Sequence, residues 1–302
     1  MTRRYRIEHR TEYRYSDEVS TSFGRGYLRP REIPNRQRCL NYSLTIQPGP
    51  SDLTHDVDVF GNPNSYFHVT DAHTELVVTG LSEVEVTVPP TDPEVLALPW
   101  ERARPGLDDP KAVEFTLASP LVRMPGRILD YAAVTFTPRR PIGEAVVDLT
   151  HRIFTEFKYH PGSTNVSSTV AEVLEARAGV CQDFAHVAVA CLRSVGLACR
   201  YVSGYLATDP PPGKERMIGA DASHAWAAVR LPDGSWLGFD PTNDQLADER
   251  YTIVAWGRDY DDVPPLRGVI YTDAESNEMD VSVDVAPLTP ARPAHPHPPA
   301  HP

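Results

Sequence analysis

The sequence predicts an α+β protein in which a β-rich N-terminal region precedes a larger region of helices and strands. In the first ninety residues, apolar and polar residues alternate in several short runs, which is the period of a half-buried strand. Beyond them, apolar residues recur at helical spacing, and three strand-like runs follow the helices. Helices followed by strands indicate helices packed on one face of an antiparallel sheet.

The N-terminal region, residues 1–90, is predicted to be a small antiparallel β-sandwich. The run YRIEHRTEYRYS alternates from Tyr5 to Tyr15, and CLNYSLTIQ and TELVVTGLSEVEVTV alternate in the same way. Gly, Asn and Pro at 61–64 separate two further β-prone runs, as a hairpin loop does. The segment PPTDP at 89–93 ends this pattern and marks the predicted domain boundary.

The second region, residues 91–286, begins with short helices broken by Pro and Gly. A longer helix follows, with Val146, Leu149, Ile153 and Phe157 on one stripe, and another begins near Cys181. The runs LACRYVSGYL, SHAWAAVRL and SWLGFDPT are then predicted strands. Residues 287–302 are rich in Pro and His, so a disordered or polyproline-II-like tail is expected there.

The composition narrows the classes of partner. The chain has 302 residues and a net charge of −12 without Lys/Arg runs, so nucleic acid and anionic membranes are poor candidates. No segment reaches about 18 consecutive apolar residues, and no apolar stretch follows the N-terminal arginines. We therefore expect a cytoplasmic protein with reduced cysteines. No C-x-x-C or HExxH spacing occurs, so neither a metal nor a cofactor is expected, and the oligomeric state stays open.

Cys181 lies where a short turn, RAGV, leads into the predicted helix. A sulfur at a helix N-terminus meets unpaired N–H groups and the positive end of the helix dipole, which favour the reactive thiolate. The alternative is a small buried residue, which suits Cys191 better because Cys191 is in phase with the apolar stripe. Position alone leaves both interpretations of Cys181 open. Asp183 is expected to support the first turn, and His186 lies about 140° around the helix from Cys181.

A base and an acid are supplied by DASHAWAAVRLPDGSWLGFDPTND, residues 221–244. If Pro232, Asp233 and Gly234 form a three-residue loop, Leu231 pairs with Ser235 and Gly234 takes the left-handed position. His224 and Asp240 then face the same side of the sheet and lie diagonally within hydrogen-bond reach. A two-residue loop would put them on opposite sides. Taken together with Cys181, they predict a nucleophile, a base and an orienting acid.

Three blocks resemble the bacterial transglutaminase-like family, whose members are often described as cysteine proteases. They are AGVCQDFAHVAVACLRSVGLACRYVSGYL, the 221–244 segment quoted above, and VAWGRDYDDVPPLRGV. The opening YRIEHRTEYRYSDEVSTSFGRGYLRPRE is similar to the β-rich region that accompanies this core. The resemblance covers nearly the whole chain except the Pro/His tail. It implies a papain-like α+β core with Cys181 as nucleophile, His224 as base and Asp240 as orienting acid.

The resemblance implies acyl transfer or hydrolysis of an amide or peptide bond through a thioester. A cysteine peptidase or amidase is favoured because no feature for a lysine acceptor is evident. The alternatives are a protein-glutamine transglutaminase and a catalytically silent binding module. Candidate oxyanion partners are Gln182 and Tyr159. Trp226, with Trp236, is a candidate wall of the acyl pocket, and Arg258 is a candidate for a charged substrate group unless it pairs with neighbouring aspartates.

Overall fold

The structure is a computed structural model that describes residues 2–208 and 223–288. It is an α+β fold, as the sequence predicts. The strands are β1 (Thr2–Gly26), β2 (Gln37–Gln47), β3 (Asp52–Val57), β4 (Pro63–Val69), β5 (His73–Thr87), β6 (Lys158–Tyr159), β7 (Ala178–Gly179), β8 (Cys199–Leu206), β9 (Ser223–Arg230), β10 (Trp236–Asp240), β11 (Gln245–Leu246), β12 (Tyr251–Gly257), β13 (Leu266–Thr272) and β14 (Asn277–Pro287). The α-helices are α1 (Pro93–Leu96), α2 (Pro110–Glu114), α3 (Gly126–Thr135), α4 (Ile142–Glu156), α5 (Val170–Ala176) and α6 (Cys181–Ser194).

The N-terminal sheet is organised by its first strand, which is 25 residues long. The first half of β1 pairs with β5, and the second half pairs with β4 after a break in register between Arg14 and Val19. The sheet order is β2-β5-β1-β4-β3. A buried cluster that includes Ile46, Phe67 and Val78 joins residues of β2, β4 and β5. The sheet is therefore curled so that its two halves pack on each other.

The two last strands of the chain also belong to this sheet. β14 pairs with the first half of β1, from Tyr5 opposite Pro287 to Tyr15 opposite Asn277, and β13 pairs with the second half. The sequence placed residues 266–286 in the second region, but their backbone hydrogen bonds are made with the first. The division of the chain into domains at residue 90 stays a prediction.

The first two residues of the predicted tail, Pro287 and Leu288, are hydrogen-bonded or paired with β1. Pro287 ends β14 opposite Tyr5, and the Leu288 N–H donates to the Arg4 carbonyl oxygen over 2.8 Å. A proline is tolerated there because it lies at the end of an edge strand, where its missing N–H leaves no ladder bond unmade. The disorder predicted for the rest of the tail, residues 289–302, lies outside the described residues.

The second sheet, β11-β10-β9-β8-β12, is antiparallel and carries the helices on one face. Its alternate residues Ala227, Val229 and Phe239 are buried against α3, α4 and α6 in the largest apolar cluster. The opposite face buries Trp226 and Ala228 in a separate cluster that includes Ile33 of the N-terminal region. Sheet alternation and helix periodicity therefore fix the two faces as the sequence predicts.

A fourth apolar cluster joins the two sheets beside the start of α6. Tyr5 and Ile7 of β1 are 1% exposed and share this cluster with Tyr201 and Tyr205 of β8. Cys181 packs against the same cluster. The N-terminal sheet thus forms part of the surroundings of the predicted nucleophile.

Gly204 lies in a tightly packed part of the core, where it pairs with His224 across β8 and β9. A Cβ at Gly204 would clash with the Thr252 carbonyl oxygen and lie 2.7 Å from the Trp226 ring. Gly204→Ala is therefore expected to lower the free energy of unfolding by about 1–3 kcal/mol or more, as overpacking does. Urea denaturation measures it.

Gly126→Ala is the matched control, because an added Cβ there meets no atom within 4 Å. This variant is expected to keep the stability of the wild type or to gain up to about 1 kcal/mol through reduced freedom of the unfolded chain. Equal stability of the two variants would contradict the packing described around Gly204.

Candidate active site

Cys181 is the first residue of α6, and the turn before it is held by Asp183. The Asp183 Oδ2 accepts the Val180 N–H over 2.8 Å and the Thr164 hydroxyl over 2.6 Å. Burial raises the pKa of Asp183, and these two hydrogen bonds oppose that rise. Gly179 leaves room for the carboxylate, since a Cβ there would lie 2.6 Å from Oδ2. Asp183 therefore closes the turn, in line with the structural role expected of it.

The three cysteines of this region have different surroundings. Cys191 and Cys199 are 0% exposed, and burial raises the pKa of each thiol to about 12. Cys181 is partly exposed and lies at the edge of the apolar cluster between the sheets. Of the three, Cys181 is the thiol that both solvent and His224 can reach.

The hairpin between β9 and β10 has the register that brings His224 and Asp240 together. The Leu231 N–H donates to the Ser235 carbonyl oxygen over 2.8 Å, and Gly234 has a left-handed φ of 86°. Trp236 pairs with Arg230, and Phe239 with Ala227, so residues of equal parity face each other. The three-residue loop and its register are confirmed.

His224 and Asp240 form a direct hydrogen bond. The distance from His224 Nε2 to Asp240 Oδ2 is 2.7 Å, and Cys181 contributes to the raised pKa of the same imidazole, so its side chain lies beside the ring. The structure thus brings together the three residues that the sequence places in one group.

Asp240 is 0% exposed and is held by four donors. Its Oδ2 accepts His224 Nε2, the Asn243 amide and the Tyr251 hydroxyl, each over 2.7 Å. Its Oδ1 accepts the Thr242 N–H over 2.8 Å. Burial acts to raise the pKa of this carboxyl, but hydrogen bonding to His224, Asn243 and Tyr251 outweighs burial and lowers it. Asp240 is therefore a fixed carboxylate.

The imidazole of His224 is held in its charged form. Burial acts to lower its pKa, but the hydrogen bonds and charges of Asp240 and Cys181 outweigh burial and raise the pKa to about 10. His186 is the opposite case, because burial lowers its pKa to about 4 and its Nε2 accepts the Tyr260 N–H over 3.1 Å. His186 is therefore a neutral acceptor within the core.

Trp226 lies beside the imidazole but beneath the surface. Its ring stacks on His224 with 6.1 Å between ring centroids, and it is 1% exposed. Trp236 faces the same side of the sheet, as predicted, but at the hairpin end of β10 opposite Arg230. Arg230 follows His224 by six residues in β9, so Trp236 lies about 20 Å along the strand from the imidazole.

Gln182 and Tyr159, the two candidate oxyanion partners, have different neighbours. The Gln182 amide donates to the Val166 carbonyl oxygen over 3.1 Å. Tyr159 is 53% exposed, lies edge-on to Phe184, and has a pKa raised by burial and then by Cys181, which indicates that it is near the thiol.

Arg258 is engaged by its own loop. Its guanidinium forms hydrogen bonds of 2.8 and 2.9 Å with the carboxylate of Asp262. The hydrogen bonds to Asp262 raise the pKa of Arg258, against the opposing effect of burial. This is the internal Arg–Asp pairing that the sequence left open as the alternative to substrate binding.

Sequence reasoning missed the two side chains that hold Asp240 beside His224. Asn243 follows Asp240 by three residues in FDPTND, so a local turn signal was present. Tyr251 is on β12, at the other end of the sheet order from β10, and only tertiary packing brings its hydroxyl to Asp240. No local pattern reports that contact.

Within residues 2–208 and 223–288, no three His, Cys, Asp or Glu side chains are grouped as ligands for a metal ion. In the same two ranges, no helix has the length and apolar character needed to cross a membrane. The cytoplasmic location remains a prediction.

A thiol at a helix start, with a histidine and an aspartate on an adjacent antiparallel sheet, defines the papain-like class of α+β folds. Residues 131–241 match the transglutaminase-like superfamily, and residues 5–85 match the bacterial transglutaminase-like N-terminal region. An uncharacterised protein of Mycobacterium tuberculosis is 56% identical over 296 residues, with 95% of this chain and 94% of the relative covered. The chain belongs to the bacterial transglutaminase-like family.

Two further comparisons concern the fold and the core. A crystal structure of a "Putative Cysteine Protease" from Cytophaga hutchinsonii has a TM-score of 0.73 at 19% identity, covering 96% of this chain and 92% of that one. At this identity the likeness shows the shared fold. A protein-glutamine gamma-glutamyltransferase of Pseudomonas aeruginosa is 27% identical over 114 residues, which are 37% of this chain and 17% of that protein.

Asp240→Asn is expected to lower the pKa of His224 from about 10 towards its ordinary value of 6.5, because burial is then opposed by Cys181 alone. NMR titration of the imidazole Cε1–H signals measures the shift, and His186 in the same spectra is the control. A wild-type His224 that titrates near 6.5 would contradict the charged pair.

The same pair predicts how stability depends on pH. The stabilisation that corresponds to the raised pKa of His224 is fully present below about pH 6.5. It is lost as the pH rises through about 10. At the acid end, the lowered pKa of Asp240 makes its contribution disappear as the pH falls below the ordinary value of 3.8. The difference in free energy of unfolding between wild type and Asp240→Asn should thus be largest between about pH 4 and 6.5.

Proposed function

We propose that the protein is a thiol acyl-transfer enzyme in which Cys181 is the nucleophile, His224 the base and Asp240 the orienting acid. The observation that carries the proposal is the 2.7 Å hydrogen bond between His224 and Asp240, with Cys181 close enough to raise the pKa of the same imidazole. A base held by a buried carboxylate beside a partly exposed thiol is the arrangement that activates a cysteine.

The reaction begins from the ion pair in which the Cys181 proton is already on His224, in line with the charged imidazole. The sulfur then attacks an amide carbonyl carbon, and the C–N bond breaks as the imidazolium gives its proton to the leaving amine. A thioester on Cys181 remains. Water or a second amine attacks the thioester and loses a proton to the now neutral His224, and the Cys181 sulfur leaves as the thiolate, so that the ion pair is restored.

Acyl transfer also requires hydrogen-bond donors for the oxyanion, and the start of α6 can provide them. The first N–H groups of a helix have no intrahelical partner and point out of its N-terminus. We assign the first donor to the Cys181 N–H. Gln182 and Tyr159 are the candidates for the second, and Tyr159 is the more exposed of the two.

Hydrolysis by a cysteine peptidase or amidase is our first choice of reaction. Transfer to an amine, as in a protein-glutamine transglutaminase, is the second choice, and the similarity of the core to the Pseudomonas aeruginosa gamma-glutamyltransferase favours it. A catalytically silent binding module is the third, and the presence of all three residue types, with His224 hydrogen-bonded to Asp240 beside Cys181, argues against it.

Alkylation with iodoacetamide followed by peptide mapping tests the nucleophile. Cys181 is expected to react fastest, because it is the partly exposed thiol of this region and lies beside the charged imidazole of His224. His224→Ala should slow this labelling by about tenfold or more at pH 6.

Cys191 is the internal control, since it is buried and its pKa is raised to about 12. It should stay unlabelled in the folded wild type and react only in denaturant. Equal labelling of Cys181 and Cys191 in the native protein would rule out the proposed nucleophile.

A peptide library incubated with and without a labelled primary amine separates the two reactions. Cleaved peptides or released ammonia without incorporated amine indicate a hydrolase, and amine attached to glutamine indicates a transglutaminase. Cys181→Ser should abolish formation of either product, because a serine hydroxyl cannot form the reactive thiolate. Activity retained by this variant would place the chemistry elsewhere.

A further inference from the structure

A cavity of about 520 Å³ lies at the hairpin end of the second sheet, away from the candidate active site. It is enclosed by the loop of residues 58–61, by α2, and by the residues near the β9–β10 hairpin. Arg230 lines the cavity and is the last residue of β9, whereas His224 is the second residue of the same strand. The two sites are therefore about 20 Å apart along β9. The cavity therefore needs an explanation that is independent of Cys181.

Arg200 is the unusual residue of this cavity. It is 9% exposed, and its guanidinium carbon lies 3.6 Å from the centroid of Trp256 and 4.2 Å from that of Trp236. Its Nε is buried without a hydrogen bond, and among the described residues the guanidinium of Arg200 has no hydrogen-bond or ion-pair partner. An aromatic ring attracts a cation but offers no lone pair to its N–H groups in the plane of the guanidinium.

The charges around Arg200 do not neutralise it. Burial is the main cause of its lowered pKa, and the positive charges of Arg31 and Arg36 come next. Burying a cation without an acceptor is costly, so an acceptor is the missing component.

The acidic residues that line the cavity have other partners. Asp109 accepts Arg230 Nη2 over 2.8 Å, and Asp58 accepts the N–H groups of Phe60 and Asn62. The charge of Glu114 acts on Arg258 and is not among the charges that shift the pKa of Arg200. The donors of Arg200 are thus left for a ligand.

The cavity walls are aromatic. Phe60 and Phe115 are 5.7 Å apart between ring centroids, and Phe115 and Trp236 are 5.6 Å apart. These rings continue to Trp256 on the other side of Arg200. A cavity of this size, with aromatic rings on one part of its wall and an unpaired cation beside them, is typical of a site for a small organic molecule.

We propose that this cavity binds a small organic carboxylate with an aromatic or apolar body. The carboxylate accepts the N–H groups of Arg200, and the body packs against Phe60, Phe115 and Trp236. Carboxylate is the anion that a guanidinium binds with two parallel hydrogen bonds, and the aromatic walls select against a bare inorganic ion.

Isothermal titration calorimetry of the full chain tests this site with benzoate, phenylacetate and indole-3-acetate. Benzamide is the uncharged match for benzoate, and inorganic phosphate is the anion without an apolar body. At least one carboxylate is expected to bind at about millimolar affinity or better, and at least about tenfold more tightly than its amide or phosphate.

Arg200→Met should remove the preference for the carboxylate over the amide while leaving the weak binding of the apolar body. Arg104→Met is the matched control, because Arg104 also lies over a tryptophan, 4.8 Å from the centroid of Trp100, but donates to the Val195 carbonyl oxygen and does not line the cavity. It should leave the preference unchanged. Cys181→Ser should do the same, which separates this site from the candidate active site.

Equal binding of benzoate and benzamide to the wild type would overturn the proposal, even if Arg200→Met did not fold. Binding of phosphate as tight as that of every carboxylate would overturn the role of the apolar walls. Failure of all three carboxylates to bind at about 10 mM would overturn the site as a whole. Loss of binding in Cys181→Ser would assign the ligand to the other site.

Discussion

The candidate active site depends on the register of one hairpin. Gly234 takes a left-handed conformation that most residues adopt with strain, and this makes the loop three residues long. The loop length decides which side chains of β9 and β10 share a face, because adjacent residues of a strand point in opposite directions. One residue more or less would put the Asp240 carboxylate on the helix side of the sheet and leave His224 without its partner.

The rest of the site is built around a carboxylate that cannot move. Asp240 is buried and its oxygens are occupied by groups from β9, β12 and the turn after β10. A charge is tolerated at this depth because four donors replace the water that it has lost. The N-terminal sheet completes the arrangement from the other side, where Tyr5 and Ile7 pack in the cluster that borders Cys181. The β-rich region is thus part of the site's support.

The sequence predicts the features that depend on short stretches of chain. The start of α6 at Cys181, the loop at Gly234 and the parity of His224 and Asp240 all follow from local turn and periodicity rules. The contact of Tyr251 with Asp240, the pairing of β14 with β1 and the position of Arg200 between two tryptophans join distant segments. No periodicity reports such contacts, because they are set by how the layers pack.

The pairing of Tyr5 with Pro287 has a consequence for folding. The first half of β1 lies between β5, which is near it in the chain, and β14, which is almost the whole chain away. β1 and β5 can pair early, but the opposite edge of β1 stays open until the entire helical region has been made and folded. Closing so long a loop is entropically costly and slow. An exposed strand edge recruits other chains, so the period before β14 docks is when this protein is most prone to aggregate.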